Sequence, residues 1–368
     1  MNIFKLANGI DKKMSPLQVE ANLCTHIISP RSECHRCVEH CPTNSISFNK
    51  NEIVIDEHCL ECGLCTTVCP TNAILSQRPS LNQWISDTIR TCKQNEKVYL
   101  HCEKVKIPNQ DVVTVKVSCF GAIPREAWLA ISGECSDKLS IYHPDESCHE
   151  CEVSTGERVW RKELQLGEAM SSRQLKICGA IEYPKQQVQY DQNRRSFFST
   201  LFGEVKSTNK LAMKEWLAID KIRTYQDKMK EEPVLRLEKE WQDVANDVVE
   251  KITHVASYPY MTKRKVLLEE LTKNEVLQHR CDVRLPEISP NCTLCGACAI
   301  LCPTDALVLE RENGHEKITL NPSKCVDCQL CEEICFFESI TLKHVANGAL
   351  LGGPAVLVER DTGSLSQV

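Results

Sequence analysis

Apolar residues fall into short β-branched runs over most of the chain and into a helical spacing over one long stretch. Ile53-Val54-Ile55, Val98-Tyr99-Leu100, Val112 to Val117, Leu139-Ser140-Ile141-Tyr142 and Ile318-Thr319-Leu320 predict strands. Pro124 to Ile131 predicts a helix with proline in its first turn. Strand, helix and strand in that order predict a small α/β domain containing a parallel pair. From about 195 to 280 the period turns helical. Val234, Leu237, Trp241, Val244, Val248 and Ile252 recur at three and four behind Pro233, and Val266-Leu267-Leu268 with Leu271 predicts another helix. The apolar segment Val345 to Val358, broken by Gly352, Gly353 and Pro354, predicts a final strand or a covering loop, with a docking tail as the alternative. It is too short to span a bilayer, which takes roughly 18 or more apolar residues.

A repeat lies over this pattern. Cys41-Pro-Thr-Asn-Ser-Ile-Ser47, Cys69-Pro-Thr-Asn-Ala-Ile-Leu75, Cys302-Pro-Thr-Asp-Ala-Leu-Val308 and Cys335-Phe-Phe-Glu-Ser-Ile-Thr341 are four versions of one segment. Each repeat predicts a loop, one short helix carrying the last cysteine, and a strand. Two repeats make a compact unit, so units are expected at about 20–80 and 285–345.

Each repeat closes a run of cysteines, and sixteen of the 24 cysteines fall in these runs. Three are regular: Cys59-x2-Cys62-x2-Cys65-x3-Cys69, Cys292-x2-Cys295-x2-Cys298-x3-Cys302 and Cys325-x2-Cys328-x2-Cys331-x3-Cys335. The fourth is altered, Cys24-x9-Cys34-x2-Cys37-x3-Cys41, with Arg31 where its first cysteine would fall. This spacing wraps a cubane iron–sulfur cluster: three thiolates hold one cluster and the fourth reaches the partner cluster. Structural zinc takes separated pairs or Cys/His sets around one ion, which these runs do not supply. Four cysteines within ten residues do not meet disulfide geometry either. Gly63 and Gly296, each after the second cysteine of a run, allow backbone N–H groups to turn toward cluster sulfides; the run ending at Cys335 carries Gln329 there.

Composition narrows the classes further. A net charge of −6 argues against nucleic acid as a partner. The chain has no Gly-x-Gly-x-x-Gly fingerprint and no P-loop, so an enzyme is not expected. Met1-Asn2-Ile3-Phe4-Lys5 does not open a secretory signal; a cytoplasmic protein is expected, without a membrane span, its place against a membrane complex left open. Lys263-Arg264-Lys265 and Arg194-Arg195 read as solvated basic faces, with an acidic partner as the alternative. Cys92, Cys135, Cys178 and Cys281 have no neighbours at ligand spacing, so buried reduced thiols are expected.

The cysteine runs resemble those of the bacterial two-cluster ferredoxin family over roughly a third of the chain. The resemblance implies four [4Fe-4S] clusters with crossed ligation. Cys292, Cys295, Cys298 and Cys335 would hold one cluster, and Cys325, Cys328, Cys331 and Cys302 its neighbour. Cys59, Cys62 and Cys65 would pair with Cys41, and Cys34, Cys37 and Cys69 with the distant Cys24. Should Cys24 not reach, a three-iron cluster is the alternative.

Between the two units, residues 92–182 carry cysteines at other spacings. Cys102 and Cys119 sit at the ends of the first two predicted strands of the α/β domain, and Cys148-His149-Glu150-Cys151 follows the third. Loops after the carboxyl ends of such strands converge, so these four thiols are expected to face one another. Val117-Ser118-Cys119-Phe120-Gly121-Ala122-Ile123, the helix and His143-Pro144-Asp145 resemble the small iron–sulfur (delta) subunit of hydrogenases linked to heterodisulfide reductase. The resemblance implies one [2Fe-2S] cluster on Cys102, Cys119, Cys148 and Cys151. The chain departs from that family where Cys102 follows His101 in place of a cysteine pair and where Tyr142 replaces a cysteine. Zinc on the same thiols, or a cluster-free domain, are the alternatives. His101 and His149 are expected to be neighbours and not ligands.

The fold expectation is therefore α+β: two ferredoxin-like two-cluster units, a small α/β middle domain and a helical connecting segment at 195–280. The functional expectation is an electron-transfer subunit working between a formate dehydrogenase, hydrogenase or similar oxidoreductase and a flavin- or quinone-linked partner such as a heterodisulfide-reductase-like flavoprotein. A thiol- or cluster-based reductase using Cys148 and Cys151, or a redox-sensing iron–sulfur protein, is the alternative.

Overall fold

The computed structural model describes residues 17–76, 79–108, 112–144, 147–182 and 262–361. Helices and sheets are mixed, as expected of an α+β chain. The helices expected at 233–252 and the Arg194-Arg195 pair lie outside the described residues. Met1–Ile181 and Tyr258–Val368 together make one compact unit.

The first dicluster unit contains β1 (Leu17–Val19), α1 (Thr25–Ile28), α2 (Arg36–Glu39), β2 (Ile46–Asn49), β3 (Glu52–Ile55), α3 (Leu64–Val68) and β4 (Ile74–Ser76). β2 and β3 form a hairpin pairing Ile46 with Ile55, and β1 pairs antiparallel with β4, Leu17 opposite Ser76. The inward residues Leu17, Leu23, Ile46, Ile53 and Ile74 pack against the cysteines and make a thin core. So small a core gives little stability alone, and metal ligation commonly supplies the rest.

The middle segment builds α4 (Leu81–Gln94), β5 (Val98–Cys102), β6 (Thr114–Val117), α5 (Arg125–Cys135), β7 (Leu139–Tyr142), α6 (Thr155–Ser171) and β8 (Lys176–Cys178). The expected parallel pair is part of a four-stranded sheet in the order β6-β5-β7-β8, parallel throughout. Val98, Leu100, Leu139 and Ile141 are buried within it, and Trp128 of α5 and Trp160 of α6 fill the core beside them. The strand expected from Val112 begins at Thr114, and Pro124 stands at the N-cap of α5, one position before its first turn. Arg125 donates from its backbone, Nε and Nη2 to Glu163, tying α5 to α6.

After the undescribed stretch come α7 (Thr262–Lys273), α8 (Glu275–Gln278), β9 (Val283–Ile288), α9 (Ala297–Ile300), β10 (Leu307–Glu312), β11 (His315–Leu320), α10 (Leu330–Glu333), β12 (Ile340–Val345) and β13 (Ala355–Asp361). The second dicluster unit repeats the first: β10 and β11 form the hairpin, turning on Asn313 and Gly314, both at positive φ, and β9 pairs antiparallel with β12. In the apolar C-terminal segment Asn347–Leu351 forms a 3-10 helix, and the final strand, β13, begins only at Ala355 and extends the hairpin sheet beside β11.

The short helices correct one expectation. α2, α3, α9 and α10 carry Cys37, Cys65, Cys298 and Cys331, the third cysteine of each run; the fourth follows after the helix has ended. The last cysteine is thereby freed to reach away from its own run.

The middle domain packs directly on the first unit. Cys62, Leu64, Val68, Cys119, Cys151, Val153 and Val159 share one apolar cluster. Ser118 Oγ donates to the Cys62 carbonyl at 3.4 Å, and Thr155 Oγ1 to the His40 carbonyl at 3.3 Å. Gly63 permits a close approach. It lies at φ +79°, and a Cβ there would stand 2.6 Å from the Ala122 Cβ. Gly63→Ala should therefore destabilise the protein by about 1–3 kcal/mol, from a clash between two short, rigid groups; thermal unfolding against wild type measures it.

Candidate iron–sulfur centres

Backbone strain repeated four times builds the sites. Asn44, Asn72, Asp305 and Glu338, each three residues after the last cysteine of a run, lie at φ 55°, 58°, 49° and 50°. This left-handed kink turns the following N–H back toward the sulfur. Ser45, Ala306 and Ser339 donate to Cys41, Cys302 and Cys335 Sγ, each at 3.3 Å. A second device lies in the regular runs, where Glu61, Leu294 and Asp327 also have positive φ. Glu61 N and Leu294 N approach Cys59 and Cys292 Sγ at 3.5 and 3.4 Å. Donors aimed at sulfur favour the thiolate over the thiol.

Gly63 and Gly296 lie at φ +79° and +83°, as a turn toward sulfur requires. Gln329 takes the same conformation, φ 73°, without being glycine. The run beginning at Cys34 differs, since His35 lies at φ −124°.

The cysteines gather in the crossed sets. Cys24, Cys34, Cys37 and Cys69 line one cavity, Cys41, Cys59, Cys62 and Cys65 a second, and Cys302, Cys325, Cys328 and Cys331 a third. Each of these cavities has a volume of about 20 Å³, so three sites of different sequence are built to one size. Cys298 feels the charges of Cys292, Cys295 and Cys335, which completes a fourth set. Cys24 lies with Cys69 and Cys34 despite its long spacing.

Burial is the largest influence on these thiols. It pushes Cys37 up to about 12, reinforced by Cys69, Cys24 and Cys34, and Cys298 up to about 12 in the same way. Cys65, Cys328 and Cys331 are raised further. Cys65 also feels Cys37, and Cys331 feels Cys298, so the two sets within each unit are neighbours. Four thiolates held so close require a positively charged core among them. Among the described residues, no group of three or more His, Cys, Asp or Glu side chains converges as on a single metal ion. Thiols spaced around a cavity fit a multinuclear cluster. All 24 cysteines are free of disulfides.

The middle domain brings Cys102, Cys119, Cys148 and Cys151 together at the carboxyl edge of its sheet. Cys102 feels Cys151, Cys119 feels Cys102 and Cys148, and Cys148 feels Cys102 and Cys151. Gly121 N and Val153 N donate to Cys119 and Cys151 Sγ, each at 3.4 Å. Burial pushes Cys119 up to about 12 and also raises Cys148.

One neighbour escaped the sequence reading. His143 Nε2 lies 3.2 Å from Cys148 Sγ, its ring packed between Phe120 and Trp160 at centroid distances of 6.3 and 5.4 Å. The two residues are five positions apart in the chain, past the end of β7. His101 is buried with Nδ1 on the Cys102 carbonyl at 3.0 Å, turned to backbone and not to sulfur.

The four remaining cysteines divide. Cys92 and Cys135 are buried and hydrogen-bonded to each other, which lowers Cys92 and raises Cys135. Cys178 is half-buried and Cys281 exposed, so the expectation of burial fails for both.

Paired thiol sets on a twice-repeated scaffold define an iron–sulfur protein. The 4Fe-4S dicluster domain matches residues 31–73 and 291–339. A "Ferredoxin-like protein in nif region" of Sinorhizobium fredii is 37% identical over 54 residues, which make up 13% of this chain and 78% of that protein. The chain belongs to this ferredoxin-like family of 4Fe-4S proteins. Its role is iron–sulfur electron transfer, that of a carrier and not of a catalytic enzyme. No solved structure matches the chain. No described helix is long and apolar enough to cross a membrane.

Gln329 supplies a test of the built-in strain. Gln329→Gly should stabilise the protein by about 1 kcal/mol, since glycine accepts positive φ without the Cβ penalty; chemical denaturation of the two proteins side by side reads the difference.

Proposed function

We propose that the chain is a relay subunit that carries single electrons between a catalytic oxidoreductase and a flavin- or quinone-linked partner. Four [4Fe-4S] clusters occupy the four crossed cysteine sets, Cys24 serving as the distant ligand of the first. A [2Fe-2S] cluster occupies Cys102, Cys119, Cys148 and Cys151. The observation that carries this reading is the seam at Cys62 and Cys119. These two cysteines, from a dicluster unit and from the middle domain, pack in one apolar cluster. A chain of redox centres needs such near contact between neighbours. A lone domain with buried thiols does not.

The seam also sets an order. The middle group adjoins the set of Cys41, Cys59, Cys62 and Cys65, which adjoins that of Cys24, Cys34, Cys37 and Cys69. The middle domain's end of this series faces the flavin-type partner, a placement supported by its resemblance to hydrogenase delta subunits. Formate dehydrogenase or hydrogenase subunits are the partners the same resemblance supports at the other end.

Two variants test the reading. Cys302→Ala should abolish the signal of the cluster held by Cys325, Cys328 and Cys331 and spare that of Cys292, Cys295 and Cys298, as paramagnetic resonance of the reduced proteins reports; loss of the latter cluster would refute the crossing. Cys148→Ser with Cys151→Ser should stop electron flow between the two partners while dithionite still reduces the four cubane clusters. Normal coupling in that variant would make the middle domain a scaffold.

A further inference from the structure

Lys263 and Arg264, which the sequence assigned to a solvated face, are 9% and 8% exposed. They open α7 and face in two directions. Lys263 Nζ donates to the carbonyls of Thr66, Thr67 and Cys69. Those carbonyls end α3, where a helix dipole favours a cation, and Cys69 is the last residue of the set with Cys24, Cys34 and Cys37. Asn72, three residues on, donates to Thr262 Oγ1 at 3.1 Å and holds α7 there.

Arg264 faces the second dicluster unit, beside Cys325 and Asp327. Its Nη1 is buried with no hydrogen-bond partner. A guanidinium cannot give up its charge to ease that cost, and an unpaired buried N–H costs about 1–3 kcal/mol. Acids lie around the pair, and Asp327 Oδ1 is itself buried with no hydrogen-bond partner. Glu126 lies near both cations and Glu163 near Lys263; Glu163 is bonded to Arg125, and Asp327 Oδ2 accepts from Arg284 Nε at 3.0 Å. An anionic iron–sulfur cluster on Cys302, Cys325, Cys328 and Cys331 would give Arg264 a negative charge and an acceptor beyond these acids.

We propose that α7 delivers one fixed cation to each of two clusters in different dicluster units, Lys263 to that of Cys24, Cys34, Cys37 and Cys69, and Arg264 to that of Cys302, Cys325, Cys328 and Cys331, and that these two are the clusters between which electrons cross from one unit to the other. The inference rests on the relay reading. Reduction adds one electron to a cluster, taken from the donor oxidoreductase or, in the test, from dithionite, and that electron leaves for the next centre. A buried cation beside the cluster stabilises the added negative charge more strongly than a surface charge does. Each cation therefore raises the potential of its own cluster above that of the other cluster in the same unit, and the electron settles at the crossing.

The test is a dithionite titration of the full chain at controlled potential, followed by paramagnetic resonance, with iron and sulfide measured on each protein. Arg264→Met should lower one cubane midpoint, raising the ratio of oxidised to reduced cluster about tenfold at fixed potential, or ~59 mV for one electron. Lys263→Met should lower a different midpoint, and the double variant both. Arg264→Lys and Lys263→Arg keep the charge and should restore most of each shift. Arg264→Gln, uncharged but still a donor, is the second variant should Arg264→Met fold poorly, and it should shift like Met. Unchanged midpoints at full iron content, or one midpoint moved by both single variants, overturn the inference and leave the clusters standing. Wild-type protein without iron overturns the relay reading itself.

Discussion

Burial of clustered thiols is the constraint on which the structure depends. Each cysteine set removes its thiols from water and holds them close enough to raise one another's pKa, as at Cys37 and Cys298. Without a cationic core, such sites keep their protons. With one, four thiolates become the strongest cross-links in units whose apolar cores are thin. Ligation releases those protons, so cluster assembly is opposed by acid. The kinks at Asn44, Asp305 and Glu338 are part of the same arrangement: they cost backbone energy and return it as N–H donors on sulfur.

The joints between the parts follow a similar logic. Gly63 lets the middle domain approach the first unit to within contact of Cys62, and α7 places Lys263 and Arg264 where the apolar cluster common to a surface helix would otherwise sit. Burying two cations is expensive unless each finds partners. Lys263 finds three carbonyls at a helix end, whereas Arg264 retains an unpaired N–H beside a cysteine set. The two cations thus meet their cost differently, one within the polypeptide and one toward a redox centre.

Much of this was legible in the sequence because cluster ligation dictates spacing. Cys-x2-Cys-x2-Cys-x3-Cys with its repeated tail pointed to two dicluster units, and the β-branched runs located β5, β6 and β7. Long-range facts were not legible. The β8 edge strand is three residues long, with too little pattern to stand out, and β1 and β9 pair with strands more than fifty residues away. His143 meets Cys148 through a side-chain contact past the end of β7, at a spacing that carries no pattern. Lys263-Arg264 is a basic pair like any solvated one until the fold closes over it. The asparagine or aspartate three residues after Cys41, Cys69 and Cys302 was a usable signal for the kinks, since both residues tolerate positive φ; Glu338 carried no such signal.

The most direct measurement is iron and acid-labile sulfide in protein purified without oxygen, read with its visible absorption. Four cubane clusters and a two-iron centre predict about 18 irons per chain with matching sulfide and broad sulfur-to-iron absorption. Stoichiometric zinc, colourless protein and no labile sulfide would contradict the account at its root.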